Sequence, residues 1–180
     1  MLQPRDLPAL LNEPLEKLEV EIGCGNGHFM AEYCRAKPKI LFVGVEIKKK
    51  RCLKAQAKID KRQLANARVI HGSAEATLTA LPDDSVDAFH LYFPDPWPKA
   101  RHRRRRFLRR ENIETLRCKL KPGGFIFVVT DYFDYYLHTK VLFLLHEGLR
   151  LIPQPPSTSV FRSVFAQRFA DKGKVVRTLT

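Results

Sequence analysis

The sequence lacks a long apolar run: no hydrophobic stretch approaches the roughly 20 residues needed to span a bilayer. Residues 1–13 also lack the charged segment and unbroken apolar segment of a secretory signal. No internal repeat or low-complexity linker interrupts the 180 residues, a length that suits one domain. We therefore expect a soluble, cytoplasmic protein that is a single domain over residues 1–180, with residues 1–17 as a short N-terminal segment.

Cysteines are few and dispersed. The four of them, Cys24, Cys34, Cys52 and Cys118, form no C-x-x-C pair and have no histidines at metal-ligand spacing. We expect reduced, buried thiols and no metal site.

Acidic residues are scarce relative to basic ones, with 19 Asp and Glu against 32 Lys and Arg, and a formal net charge of +13. The basic residues concentrate in residues 48–51, 99–110 and 162–177. A polyanionic partner accounts for such clusters. The alternative is a protein that is merely soluble and basic.

Apolar segments alternate with helical patterns from residue 18 onward. Strands are predicted over residues 18–22, 40–47, 67–71, 86–93 and 125–130, and helices over residues 29–36, 48–64, 107–120 and 133–146. Residues 121–124 predict a turn, and the tail from residue 149 predicts two more strands. Because the strands are apolar on both faces, the pattern indicates an α/β fold with a central, mostly parallel sheet covered by helices on each face.

A glycine-rich loop follows the first predicted strand, at the sheet edge where α/β proteins bind ligands. Gly23 and Gly25 allow a tight turn and a close approach to a ligand. A dinucleotide fingerprint would have a third glycine where this chain has His28, which disfavours NAD.

Glu46, after the second strand, can accept hydrogen bonds from both ribose hydroxyls of a nucleoside, unless it is only a solvated glutamate. The negative charge of Glu21 favours the cationic S-adenosylmethionine over an anionic pyrophosphate.

The segment Phe-Pro-Asp-Pro-Trp-Pro-Lys, residues 93–99, follows the fourth predicted strand. Two flanking prolines restrict Asp95. Trp97 offers a face for a splayed purine, and Lys99 could contact a phosphate. Taken singly, these residues could be a turn former, a core aromatic and a solvated charge.

An arginine run comes next, and its like charges repel one another unless phosphates neutralise them. A solvated basic face or a targeting signal is the alternative. We predict contacts to RNA phosphates from Arg101, Arg103, Arg104, Arg105 and Arg106.

Together, the glycine loop, Gly44-Val45-Glu46, residues 93–102 and Thr130-Asp131 resemble the bacterial tRNA (guanine-N(7)-)-methyltransferases. The resemblance runs from about residue 18 to the carboxyl terminus. The segment at residues 93–99 is specific to that family, whereas the glycine loop matches most methyltransferases. The resemblance implies a Rossmann-like class I S-adenosylmethionine-dependent methyltransferase fold. It also implies methyl transfer to N7 of a guanosine in the tRNA variable loop.

The resemblance also assigns roles to individual residues. Asp95 is expected to be catalytic. The expected cofactor-binding residues are Glu21, Gly23, Gly25, Glu46, Ser73 and Asp95. The expected substrate-binding residues are Lys99, Asp131, Ser163 and the five arginines of the run.

Three departures from the family pattern stand out. Ser73 occupies the place where the family usually has an acid that would hold the adenine. Ala166 occupies the place of a glutamate in a motif near the carboxyl terminus, and the region before Leu18 is short.

Guanine N7 carries an unprotonated lone pair, so its methylation needs no general base, and positioning should dominate the rate. Carboxylates at Asp95 and Asp131 would stabilise the positive charge that develops on the ring.

Two other functions stay open. An N6-adenine or amino-group methyltransferase would have a second proline before the aromatic residue, whereas Trp97 follows a single proline. The other open function is that of a noncatalytic RNA-binding module that retains a cofactor pocket.

Overall fold

The computed structural model describes residues 1–12, 16–152 and 177–180. In this part of the chain, one sheet contains β1 (Lys17–Ile22), β2 (Ile40–Glu46), β3 (Ala67–His71), β4 (Val86–Tyr92), β5 (Leu120–Thr130) and β6 (Arg177–Leu179). The strand order is β3-β2-β1-β4-β5-β6. Strands β1 to β5 are parallel, and β6 is antiparallel to β5. The order reverses between β1 and β4, and a crevice for a ligand is expected outside their carboxyl ends.

Six α-helices precede, connect or follow the parallel strands in the described part of the chain. They are α1 (Leu7–Leu10), α2 (His28–Ala36), α3 (Lys49–Arg62), α4 (Ala74–Ala80), α5 (Arg110–Lys119) and α6 (Phe133–Leu144). Short 3₁₀ helices span Pro4–Asp6 and Ala100–Arg105.

Each face of the sheet has its own apolar core. On β2, Leu41 and Val43 belong to one cluster and Phe42 to the other, because alternate strand residues point to opposite faces. The first cluster includes residues of α4, α5 and α6, and the second includes residues of α2 and α3. The predicted fold class, a mostly parallel sheet covered on both faces, is therefore confirmed.

Several details differ from the sequence prediction. Residues 121–124 do not form a separate turn. They lie within β5, where the partners of Val86 and Ala88 are Leu120 and Phe125, so the intervening residues bulge from the ladder. Helix α4 was not predicted, since its short Ala- and Thr-rich sequence gives a weak periodic signal. Of the predicted two-stranded tail, the structure describes β6, and residues 153–176 lie outside the described part.

The thiol prediction is correct for three cysteines and wrong for the fourth. Cys24, Cys34 and Cys52 are free and buried, whereas Cys118 is free but partly exposed at the end of α5. No helix among residues 1–12, 16–152 and 177–180 is long and apolar enough to cross a membrane.

Candidate active site

A cavity of about 410 Å³ opens at the carboxyl ends of β1, β2, β3 and β4. This volume is within the range of small-ligand pockets. Four predicted cofactor-binding residues line it: Gly23, Glu46, Ser73 and Asp95. The parallel strands cause this convergence, because each of these residues lies at or just after the carboxyl end of a strand. We call this space the strand-end cavity.

The glycine loop is tied to the neighbouring strand by its backbone. The amide nitrogens of Gly23 and Cys24 donate to the carbonyl of Val45 at 2.8 and 3.0 Å. Gly23 has a φ of +79° and Gly25 a φ of +57°, a left-handed conformation that glycine adopts without strain. Because no atom lies within 4 Å of the position a Gly23 Cβ would take, the backbone there is open to a ligand. Gly25 does not line the cavity.

Glu46 is fixed at the end of β2. Its Oε1 accepts a hydrogen bond from the amide of Lys48 at 2.8 Å, and its Oε2 lies 3.7 Å from Nη1 of Arg51. The side chain is buried. Glu46 therefore presents a preoriented carboxylate to the cavity, as the sequence predicts for a ribose-binding acid.

Glu21 lies behind the cavity wall. It is 3% exposed, does not line the cavity, and its Oε2 has no hydrogen-bond partner among the described residues. Burial, with a smaller contribution from the charge of Glu46, raises the pKa of Glu21 to about 8. Glu21 is thus mainly neutral at pH 7, so the negative charge expected from the sequence at this position is wrong, because burial favours the protonated carboxyl.

Ser73 has a structural task at the start of α4. Its Oγ accepts a hydrogen bond from the amide of Ala76 at 3.1 Å, which caps the helix. The exposed Glu75, one residue into the helix, lines the same wall. Glu75 could not be predicted from the sequence, because the short helix α4 that carries it has only a weak periodic pattern. The serine as an N-cap was the available signal.

Residues 93–99, which we call the aspartate loop, connect β4 to the second 3₁₀ helix. Phe93 and Trp97 have φ values of +51° and +43°, which are uncommon for bulky side chains. Such conformations cost about 1–3 kcal/mol each and are concentrated at functional sites. Asp95 is exposed at the cavity, and the guanidinium carbon of Arg105 lies 5.0 Å from the centroid of the Trp97 ring. Arg105 also lines the cavity.

The arginine run divides into exposed and buried members. Four residues are exposed on or around the second 3₁₀ helix: Arg101, Arg103, Arg104 and Arg105. Arg106 is 2% exposed, and it bonds to the carbonyl of Pro96 and to Asp134. The prediction of a phosphate contact is therefore wrong for Arg106, since its guanidinium is buried among internal partners.

The remaining predicted substrate residues do not line the strand-end cavity. Lys99 is exposed at the end of the aspartate loop, and Asp131 lies half-buried directly after β5. Ser163 and Ala166 lie outside the described residues. Within residues 1–12, 16–152 and 177–180, no group of three or more His, Cys, Asp or Glu side chains could hold a metal ion.

Comparison with solved structures shows the fold. A structure described as an antibiotic related methyltransferase is 17% identical, with a TM-score of 0.70 over 99% of this chain and 94% of that chain. The aminoglycoside resistance methyltransferase NpmB1 is also 17% identical, with a TM-score of 0.64 over 99% of this chain and 92% of that chain. The fold is therefore the Rossmann-like fold of methyltransferases.

Sequence comparison gives the family. A family model described as "Putative methyltransferase" matches residues 16–176. A tRNA (guanine-N(7)-)-methyltransferase from Nitrosococcus oceani is 36% identical over 172 residues, which are 94% of this chain and 72% of that protein. A second one, from Nitrosomonas eutropha, is 34% identical over 98% of this chain and 80% of its own length. The chain belongs to the tRNA (guanine-N(7)-)-methyltransferase family.

Proposed function

We propose that this protein transfers the methyl group of S-adenosylmethionine to N7 of a guanosine in tRNA, and that the acceptor lies in the variable loop. The observation that carries the proposal is the convergence of Gly23, Glu46 and Asp95 on one strand-end cavity. The family relatives carry this activity in their names. Because tRNA is the substrate, we place the reaction in the cytoplasm.

The residues at the cavity fit S-adenosylmethionine. Glu46 is a fixed acceptor for ribose hydroxyls, and the open backbone at Gly23 permits close approach of the methionine portion. Ser73 and Glu75 provide acceptors on the wall where the adenine amine would lie. When bound, the cofactor supplies an electrophilic methyl group.

The protein's part in the reaction is to orient the base and to stabilise charge. Guanine N7 is already nucleophilic, so no side chain has to remove a proton from it. The Asp95 carboxylate, restricted by two prolines, stabilises the positive charge that develops on the ring. Asp131, after the neighbouring strand, accepts from the N1 and N2 donors of the guanine edge. Alignment of the two reactants contributes toward the roughly 7–11 kcal/mol that proximity can supply.

Exposed basic residues support tRNA as the substrate. Arg101, Arg103 and Arg104 stand on the surface beside the aspartate loop, and Lys99 precedes them. Basic side chains of this kind bind phosphates and set the register of the RNA without reading its bases.

The direct test is incubation of the protein with labelled S-adenosylmethionine and bulk tRNA, followed by nucleoside analysis. The proposal predicts label in 7-methylguanosine, and label that accumulates about 10²–10³-fold more slowly in the Asp95→Asn reaction. Label in N6-methyladenosine would establish the amino-group methyltransferase instead. Cofactor binding without any transfer would favour the noncatalytic RNA-binding module.

A further inference from the structure

We propose that Arg106 is a positioning residue that fixes the aspartate loop, and with it Asp95, to the first turn of α6. The expected effect of Arg106 on methylation rests on the proposed function. The attachment of the aspartate loop to α6 does not depend on which substrate the protein uses. It gives the buried member of the arginine run a role different from that of its exposed neighbours.

The aspartate loop has few means of fixing itself. Pro94, Pro96 and Pro98 have no amide hydrogen, so alternate residues of the loop cannot donate a backbone hydrogen bond. The amide of Phe93 donates to the carbonyl of Val129 at 2.7 Å, which secures the start of the loop. Two loop residues also have positive φ, a conformation that persists only where contacts from the surrounding structure hold it.

Arg106 supplies that donor at the centre of the loop. Its Nε donates to the carbonyl of Pro96 at 2.9 Å, and Pro96 lies between Asp95 and Trp97. The bond therefore acts on the Pro96–Trp97 peptide unit, one residue after the proposed catalytic Asp95 and directly before the aromatic residue on the cavity wall. An exposed arginine that binds phosphates could not maintain this bond.

The other side of Arg106 is attached to α6. Its Nη2 pairs with Oδ2 of Asp134, and its guanidinium carbon lies 5.0 Å from the centroid of the Tyr135 ring. The hydroxyl of Tyr135 in turn accepts a hydrogen bond from the amide of Leu108 at 3.1 Å. The hydrogen bond from Arg106 also holds the pKa of Asp134 below its usual value. A buried guanidinium requires such pairing, and its removal would leave the Pro96 carbonyl without this donor and Asp134 with its second ion pair, to Arg103.

Attachment to α6 links both carboxylates of the proposed mechanism. Asp131 lies between β5 and α6, three residues before Asp134. Arg106 therefore bridges the loop that carries Asp95 and the segment that carries Asp131. A planar fork of donors can bridge two acceptors in this way, whereas the single ammonium of lysine cannot reproduce the geometry.

Trp97 makes the inference measurable, because it is the only tryptophan of the chain and it lies in the aspartate loop. We would compare acrylamide quenching of its fluorescence in the wild type, in Arg106→Lys and in Asp134→Asn. Arg35→Lys is the matched control, since Arg35 is an exposed arginine of α2. We expect faster quenching in Arg106→Lys, a smaller change in Asp134→Asn, and none in the control.

Kinetics distinguish positioning from tRNA binding. In single-turnover methylation we expect Arg106→Lys to lower the rate at saturation by about 10- to 100-fold, the scale of a small displacement of a reacting group. The KM for tRNA should be nearly unchanged, because removal of a phosphate-binding side chain raises KM rather than lowering the maximal rate. Asp134→Asn, which alters a 41% exposed partner that also pairs with Arg103, tests the maximal rate and the Trp97 quenching if Arg106→Lys fails to fold.

Two results would overturn the inference. One is wild-type quenching of Trp97 in a folded Arg106→Lys or Asp134→Asn protein, and the other is a raised KM for tRNA with an unchanged maximal rate. If the wild type fails to methylate tRNA, the proposed function is wrong, but the Trp97 measurement still decides whether Arg106 positions the loop.

Discussion

Replacing Glu21 with glutamine should remove a large part of the pH dependence of this protein's stability. Glu21 is buried, its Oε2 has no hydrogen-bond partner among the described residues, and its pKa is about 8 against an ordinary value of 4.5. Between these two values the unfolded chain has released the proton while the folded protein keeps it. The folded state therefore loses stability as the pH rises from about 4.5 to 8, and the loss is complete above the folded-state pKa.

The size of the effect follows from the two pKa values. At 1.36 kcal/mol for each pKa unit, the difference corresponds to at most about 5 kcal/mol. Relaxation around the ionised carboxylate reduces this figure, so we expect a loss of roughly 2–5 kcal/mol, a large share of the total stability of a domain. Glutamine is neutral at every pH and has nearly the same shape as glutamate, so Glu21→Gln removes the ionisation without changing the packing.

Urea unfolding between pH 5 and pH 9 measures this directly. The free energy of unfolding of Glu21→Gln, relative to wild type, should increase steadily up to about pH 8 and then level off. Glu147→Gln, which alters an exposed glutamate, should run parallel to wild type. Parallel curves for wild type and Glu21→Gln would refute the reasoning, since they would mean that Glu21 ionises alike in both states.

The same ionisation should affect the cofactor. A cation near Glu21 stabilises its charged form, so the affinity for S-adenosylmethionine should rise with pH toward the Glu21 pKa of about 8. Isothermal titration of Glu21→Gln should show a weaker pH dependence than the wild type. An identical pH dependence in Glu21→Gln and the wild type would show that the ionisation of Glu21 does not affect cofactor binding.

Three further predictions concern the proposed activity. Glu46→Ala should weaken S-adenosylmethionine binding by roughly 10- to 100-fold, the scale of hydrogen bonds to a charged group, and titration showing unchanged affinity would contradict the ribose assignment. Neutralising Arg103 and Arg104 should flatten the salt dependence of tRNA binding by about 0.7–0.9 in log–log slope for each phosphate that is no longer bound, with cofactor affinity almost unaffected because neither residue lines the strand-end cavity. An unchanged slope would identify these arginines as a solvated surface. Asp95→Asn should lower single-turnover methylation by about 10²–10³-fold, and Asp131→Asn by less. A near wild-type rate in Asp95→Asn would refute its catalytic role.

The sequence was informative where a single local pattern decides the structure. The strands are short, apolar and rich in β-branched residues, and the glycine loop has a spacing that only a tight turn explains. Both predictions depend on neighbours in the chain. Helix α4 was missed because seven residues beginning at Ala74 carry little periodicity, and its N-cap, Ser73, was interpreted only as a ligand-binding residue.

The role of Arg106 could not be predicted from the arginine run. Six residues of similar composition give no sign of which side chain turns inward. Its partner Asp134 is 28 positions away and becomes adjacent only when α6 packs beside the loop. The high pKa of Glu21 has the same origin, since it depends on burial and on Glu46 at the end of the neighbouring strand β2.

The central claim is that N7 of guanine in tRNA receives the methyl group. A tRNA transcript in which 7-deazaguanosine replaces guanosine tests it most directly, because N7 is replaced by a carbon while the Watson–Crick edge is retained. With labelled S-adenosylmethionine and equal amounts of normal and substituted transcript, the account predicts label in the normal transcript only. Substituted transcript should still compete for binding. Equal labelling of both transcripts would show that the acceptor is another atom and would contradict the account.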